Sequence, residues 1–101
     1  MDELWMIRAE IEIEPGDLDL EPEYTKGFMN VITWGSSEES IRKRLSDYIG
    51  TFHWNLLSID EACLVSNMKK SSTALDEMIE RAKPNPMAII LGTFHTYREK
   101  T

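Results

Sequence analysis

At 101 residues, 42% of them hydrophobic and nine of them aromatic, the chain can bury one core and is too short for two of ordinary size, so residues 1–101 read as a single domain. A formal charge of −7 repels phosphate backbones and anionic bilayers, which excludes nucleic acid and membrane from the expected partners. No apolar run approaches the roughly 18–20 residues that span a bilayer, and MDELWMIRAE lacks the basic-then-apolar order of a signal peptide, so a soluble cytoplasmic protein is expected.

The first predicted element is a strand over Trp5–Glu14. Trp5, Ile7, Ala9, Ile11 and Ile13 alternate with Arg8, Glu10, Glu12 and Glu14, and a period of two means a half-buried strand. Pro15-Gly16 stops it, and DLDLEPE makes a long acidic connection. Seven of the eighteen acidic residues, Glu10, Glu12, Glu14, Asp17, Asp19, Glu21 and Glu23, lie in this stretch with no lysine or arginine among them. The other eleven are balanced by eleven basic residues, so the whole net charge sits here.

A second strand is predicted over Tyr24–Trp34, β-branched and aromatic in content, with apolar residues on both faces. Ser36 as N-cap, with Glu39 three residues later to close a capping box, opens a helix whose stripe is Ile41, Leu45, Tyr48 and Ile49. Gly50 stands where a helix commonly ends in a left-handed residue. A third strand follows from Phe52 to about Val65, surest at WNLLS, with IDEACLV able to bend locally. After a polar loop, a second helix begins near Ser72 or Thr73, carries Leu75, Met78, Ile79 and Ala82 on one stripe, and ends at Lys83-Pro84-Asn85-Pro86. Residues 87–97 form the last strand, apolar on both faces in its first half as interior strands are.

The order β-β-α-β-α-β, with one apolar stripe on each helix, predicts an α+β two-layer sandwich: a mostly antiparallel four-stranded sheet with two helices on one face. On that arrangement the face opposite the helices carries Arg8, Glu10, Glu12 and Glu14 from the first strand. The second strand turns Met29, Val31 and Thr33 toward the helices and leaves Lys26, Phe28, Asn30, Ile32 and Trp34 on the open side.

Several chemistries lack their residues. An EF-hand counted from Asp17 would need glycine at the sixth position and glutamate at the twelfth, where Pro22 and Phe28 stand. Two histidines 42 positions apart and one cysteine give no zinc spacing, and there is no G-x-S-x-G elbow, G-x-G-x-x-G or P-loop, so no metal, cofactor or catalytic set is expected. Cys63, in the apolar run ACLV, reads as a small hydrophobe, and a lone cysteine makes no internal disulfide. Arg42-Lys43-Arg44 is offset by Glu38, Glu39 and Asp47 and reads as a solvated helix face.

Carboxylates beside aromatics on an uncovered sheet face suit a binding module for a basic protein partner, with Glu10, Glu12, Glu14, Asp17, Asp19, Glu21, Glu23, Phe28 and Trp34 as its contact residues. By analogy of charge alone, inhibitors such as bacterial immunity proteins present negative charge to a cationic cleft in this way. The alternatives are a small-molecule or enzymatic domain using Glu10 or Glu12 with His95, and a homodimeric subunit. The tetrapeptide GTFH occurs at 50–53 and at 92–95 and holds both histidines, but no wider repeat surrounds it. Gly92, inside a strand, predicts a bulge or a close approach there.

Overall fold

The computed structural model describes residues 2–14, 25–69 and 72–97, the last of these, Tyr97, by its backbone. The elements run β1 (Glu3–Glu12), β2 (Lys26–Gly35), α1 (Glu38–Gly50), β3 (Asn55–Leu64), a single 3₁₀ turn (Val65–Asn67), α2 (Thr73–Ala82) and β4 (Ile89–Tyr97). All strand pairs are antiparallel and the sheet order is β3-β1-β2-β4, an α+β fold with the element order read from the sequence.

The register lays the side chains out in rows across the sheet. On one face the rows are Leu64–Trp5–Thr33–Ile89, Ala62–Ile7–Val31–Leu91 and Ile59–Ala9–Met29–Phe94. Alternation on β1 thus meets alternation on β2, and α1 closes this face with Ile41, Leu45 and Ile49, all fully buried. Each such side chain contributes roughly 1.5–3 kcal/mol of burial. The one buried polar side chain among the described residues is Thr33, whose Oγ1 donates to the Ala88 carbonyl at 3.0 Å, so its burial leaves no orphan hydroxyl.

The expectation that both helices share this face is not met. Met78, Ile79 and Ala82 of α2 pack with Ala88, just before β4, and with Leu4, Met6, Ile32, Trp34 and Ile90, which are the residues of β1, β2 and β4 that point the other way. α1 and the sheet make the two-layer sandwich, and α2 adds a partial third layer on the second face. The physical reason lies in β2 and β4: Ile32, Trp34 and Ile90 give the second face an apolar surface of its own, and that surface needs a cover.

Local details differ as well. The N-cap of α1 is Ser37, which closes a capping box with Ser40 in place of the expected Ser36 and Glu39. Gly50 is the last residue of the helix, and the left-handed residue comes three positions later, at His53 with φ 64°. Histidine tolerates that region better than most non-glycine residues. β3 begins at Asn55, after this corner, and β1 ends at Glu12. α2 keeps the expected start, with Ser72 as N-cap accepting from the Leu75 amide.

Bulges set which side chains of the edge strands face inward. Along β3 the partners of β1 skip Asp60 and Leu57, so Ala62, Ile59 and Leu56 reach the α1 face at intervals of three residues. On β4 the register jumps from Leu91 to Phe94, as Gly92 predicted, and a side chain at Gly92 would stand 3.0 Å from the Asn30 carbonyl oxygen.

Candidate functional site

The second sheet face divides across its middle. Its lower rows, Trp34 with Leu4 and Ile90–Ile32–Met6–Cys63, are apolar, and α2 covers them. The next rows are polar: Asn30–Arg8–Glu61, then His95–Phe28–Glu10–Ser58, then Lys26–Glu12–Asn55. Neither core cluster includes these side chains, and they form a half-face uncovered by helix among the described residues.

Arg8 organises the centre of this half-face. Its guanidinium carbon lies 4.6 Å from the centroid of the Phe28 ring, a cation–π contact worth about 0.5–1 kcal/mol at an exposed site. Its Nε lies 3.7 Å from Asp60 Oδ2, the residue that the β3 bulge pushes out of the ladder. With both side chains about half exposed, this ion pair adds at most about 1 kcal/mol, and it helps to keep the guanidinium beside the ring. Ser58 Oγ lies 3.5 Å from Glu10 Oε1 on the adjoining row.

Arg8, Phe28, Met29, Asn30 and His95 line a depression of about 290 Å³. At the ends of the strands Glu12, Glu14, Thr25, His53 and Asn55 line another, of about 340 Å³. The Ile13 amide donates to the Thr25 carbonyl at 2.7 Å, so the segment that joins them leaves and re-enters the fold at this end. The two histidines serve different depressions, one before β3 and one on β4, and those strands are opposite edges of the sheet. The GTFH repeat brings no imidazole pair together.

Of the residues expected to make contact, Glu10, Glu12 and Phe28 stand on the open half-face and Glu14 lies just past the end of β1. Asp17, Asp19, Glu21 and Glu23 fall outside the described residues. Trp34 and Ile32 are corrections: both belong to the half under α2, and the Trp34 indole Nε1 donates to the Ala82 carbonyl at 3.0 Å. A tryptophan so engaged acts as a helix anchor and is removed from the open surface. Arg8 and Asn30, which alternation put on the open face but not among the contact residues, and His95, named only for the small-molecule alternative, join the site through the register.

Among the described residues no three His, Cys, Asp or Glu side chains are arranged to hold a metal ion. The Cys63 thiol, half-buried on β3, is raised above its ordinary pKa by burial and then by the nearby Glu61 carboxylate, which disfavours the thiolate and its nucleophilic chemistry. Among the described residues no helix is long and apolar enough to cross a membrane. No family model matches the chain, and comparison with the curated proteins and with the solved structures gives no significant match.

Proposed function

We propose that this chain is a protein-binding module that lays the open half of its second sheet face against a basic surface of a partner protein, as an inhibitor masks a cationic cleft. The observation that carries the reading is the division of that face: α2 covers the apolar rows and stops at the row where Arg8, Glu10, Glu12 and Phe28 begin. Glu10, Glu12 and Glu14 supply the attraction, and Phe28, held under Arg8, supplies a rigid apolar contact at the centre of a charged rim. Asp17, Asp19, Glu21 and Glu23 are tethered by sequence to the same end and add four carboxylates to the field. A small-molecule site is the second reading, favoured by the Arg8–Asn30–His95 depression, although about 290 Å³ lies just under the usual range for ligand pockets.

The test is capture from native extract across a salt series, with wild type beside a Glu10→Lys/Glu12→Lys variant and a Phe28→Ala variant of unchanged circular dichroism. A partner retained by wild type at low salt, released as salt rises and lost by both variants supports the reading. Equal retention by the charge-reversed variant, or no partner at low salt, removes it.

A further inference from the structure

The two depressions described above differ in charge. Glu12 and Glu14 line the one at the strand ends, whereas Arg8, Phe28, Met29, Asn30 and His95 line the other with no carboxylate among them. On a chain of net charge −7, a hollow lined by a cation and by no anion is a local reversal of sign.

The β4 bulge makes room for it. Asn30 falls between Met29 and Val31, where the register of β2 on β4 shifts, and has no ladder partner on β4. Gly92, which stands against the Asn30 carbonyl, brings no side chain to that place. After Ile90, the next paired residue of β4 on the second face is therefore His95. The apolar rows packed with α2 have already ended at Ile32 and Ile90.

The groups around the hollow are donors with capacity left. The Asp60 carboxylate stands 3.7 Å from Arg8 Nε, and the two terminal guanidinium nitrogens carry no ion pair among the described residues. The Asn30 and His95 side chains make no hydrogen bond among those residues. The Phe28 ring, 4.6 Å from the guanidinium carbon, confines Arg8 without using any of its N–H groups. A guanidinium fork beside an amide and an imidazole is the donor set from which a planar carboxylate accepts, two oxygens on two nitrogens. One negative charge matches the one arginine, whereas a phosphate dianion meets twice the repulsion from the acidic remainder of the chain. A volume of about 290 Å³ keeps the body behind the carboxylate small.

We infer that the Arg8–Asn30–His95 hollow binds a small monocarboxylate, with Arg8 pairing the carboxylate and Asn30 and His95 donating to it. The inference rests on the second reading of the half-face, the small-molecule site, and gives that site its ligand class. It does not depend on the basic partner.

The experiment is an NMR titration of the full chain with three probes of one shape, benzoate, its neutral isostere benzamide, and phenyl phosphate. Benzoate is expected to move the backbone amides of Arg8, Asn30 and His95 and the Asn30 side-chain amide along one saturating curve, with Kd on the order of 1 mM. Benzamide and phenyl phosphate are expected to bind about tenfold more weakly or worse. Asn30→Asp, which keeps the shape and sets a carboxylate against the ligand, is expected to weaken benzoate about tenfold or more with unchanged circular dichroism. Benzoate shifts spread over the lysines and arginines of α1, phenyl phosphate binding more tightly than benzoate, or Asn30→Asp binding benzoate as wild type does each overturn the inference. Benzamide binding as well as benzoate also overturns it and leaves a small-molecule site standing; silence from all three probes removes both.

Discussion

The two faces of the sheet solve the same burial problem to different extents. On the first, strict alternation along β1 and the helical period of α1 supply matching apolar surfaces, and the rows from Trp5 to Phe94 are enclosed. On the second, apolar residues other than Phe28 occupy the rows at the Trp34 end, and a ten-residue helix suffices to cover them. The row where α2 ends marks where this face passes from covered to open.

That contrast can be broken from either side. The largest effect is expected on the enclosed face: Ile7→Ala leaves a cavity under α1 and costs about 3–4 kcal/mol in chemical denaturation, with a loss below about 1.5 kcal/mol contradicting the packing described. Met78→Ala removes the residue of α2 that lies against Gly92, and its cost is expected near the lower end for such changes, about 2 kcal/mol, because Met78 keeps some exposure and the cover is one short helix. Trp34→Phe keeps most of the apolar area but loses the bond to the Ala82 carbonyl. It is expected to cost about 1 kcal/mol and to raise amide exchange at the C-terminal turn of α2 before any other region.

On the open half the expected order reverses: under the proposed function, stability hardly responds and retention of a partner does. Glu10→Lys is expected to change stability by no more than about 0.5 kcal/mol, and a loss near that of Ile7→Ala would show that the half-face is core after all. The smallest signal concerns Cys63. Its raised pKa means that alkylation by iodoacetamide at mildly alkaline pH runs slower than for an unstructured cysteine peptide, and Glu61→Gln, which removes one of the two causes, speeds it. An alkylation rate equal to that of the peptide contradicts the assignment.

Much of this was legible in the residues. The alternation of Trp5 to Ile13 placed β1 and its faces, Ser72 and the stripe Leu75-Met78-Ile79-Ala82 placed α2, and Gly92 announced its bulge. The side of the sheet that α2 takes is also present, in the apolar residues on both faces of β2 and in the first half of β4, although the economy of a single helical layer points the other way. Ser40 displaced Glu39 from the capping box because one hydroxyl reaches both the Ser36 and the Ser37 amides, a local competition that the motif alone does not resolve. The site was half legible. Which carboxylates share a face follows from period two, yet the partners of Glu10 and Arg8 depend on the shifts at Leu57 and Asp60, and no local pattern in NLLSIDEACL fixes those. His53 and His95 look alike in sequence and stand at opposite edges because strand order is a property of the whole chain.

The bond from the Ile13 amide to the Thr25 carbonyl has a consequence for engineering. It fastens the hairpin at the base of the acidic segment, so an insert between Glu14 and Thr25 is expected to leave the register of β1 on β2 in place, each doubling of a flexible insert costing only about 0.6 kcal/mol of closure entropy. A fluorescent reporter grafted there would ride on an intact scaffold.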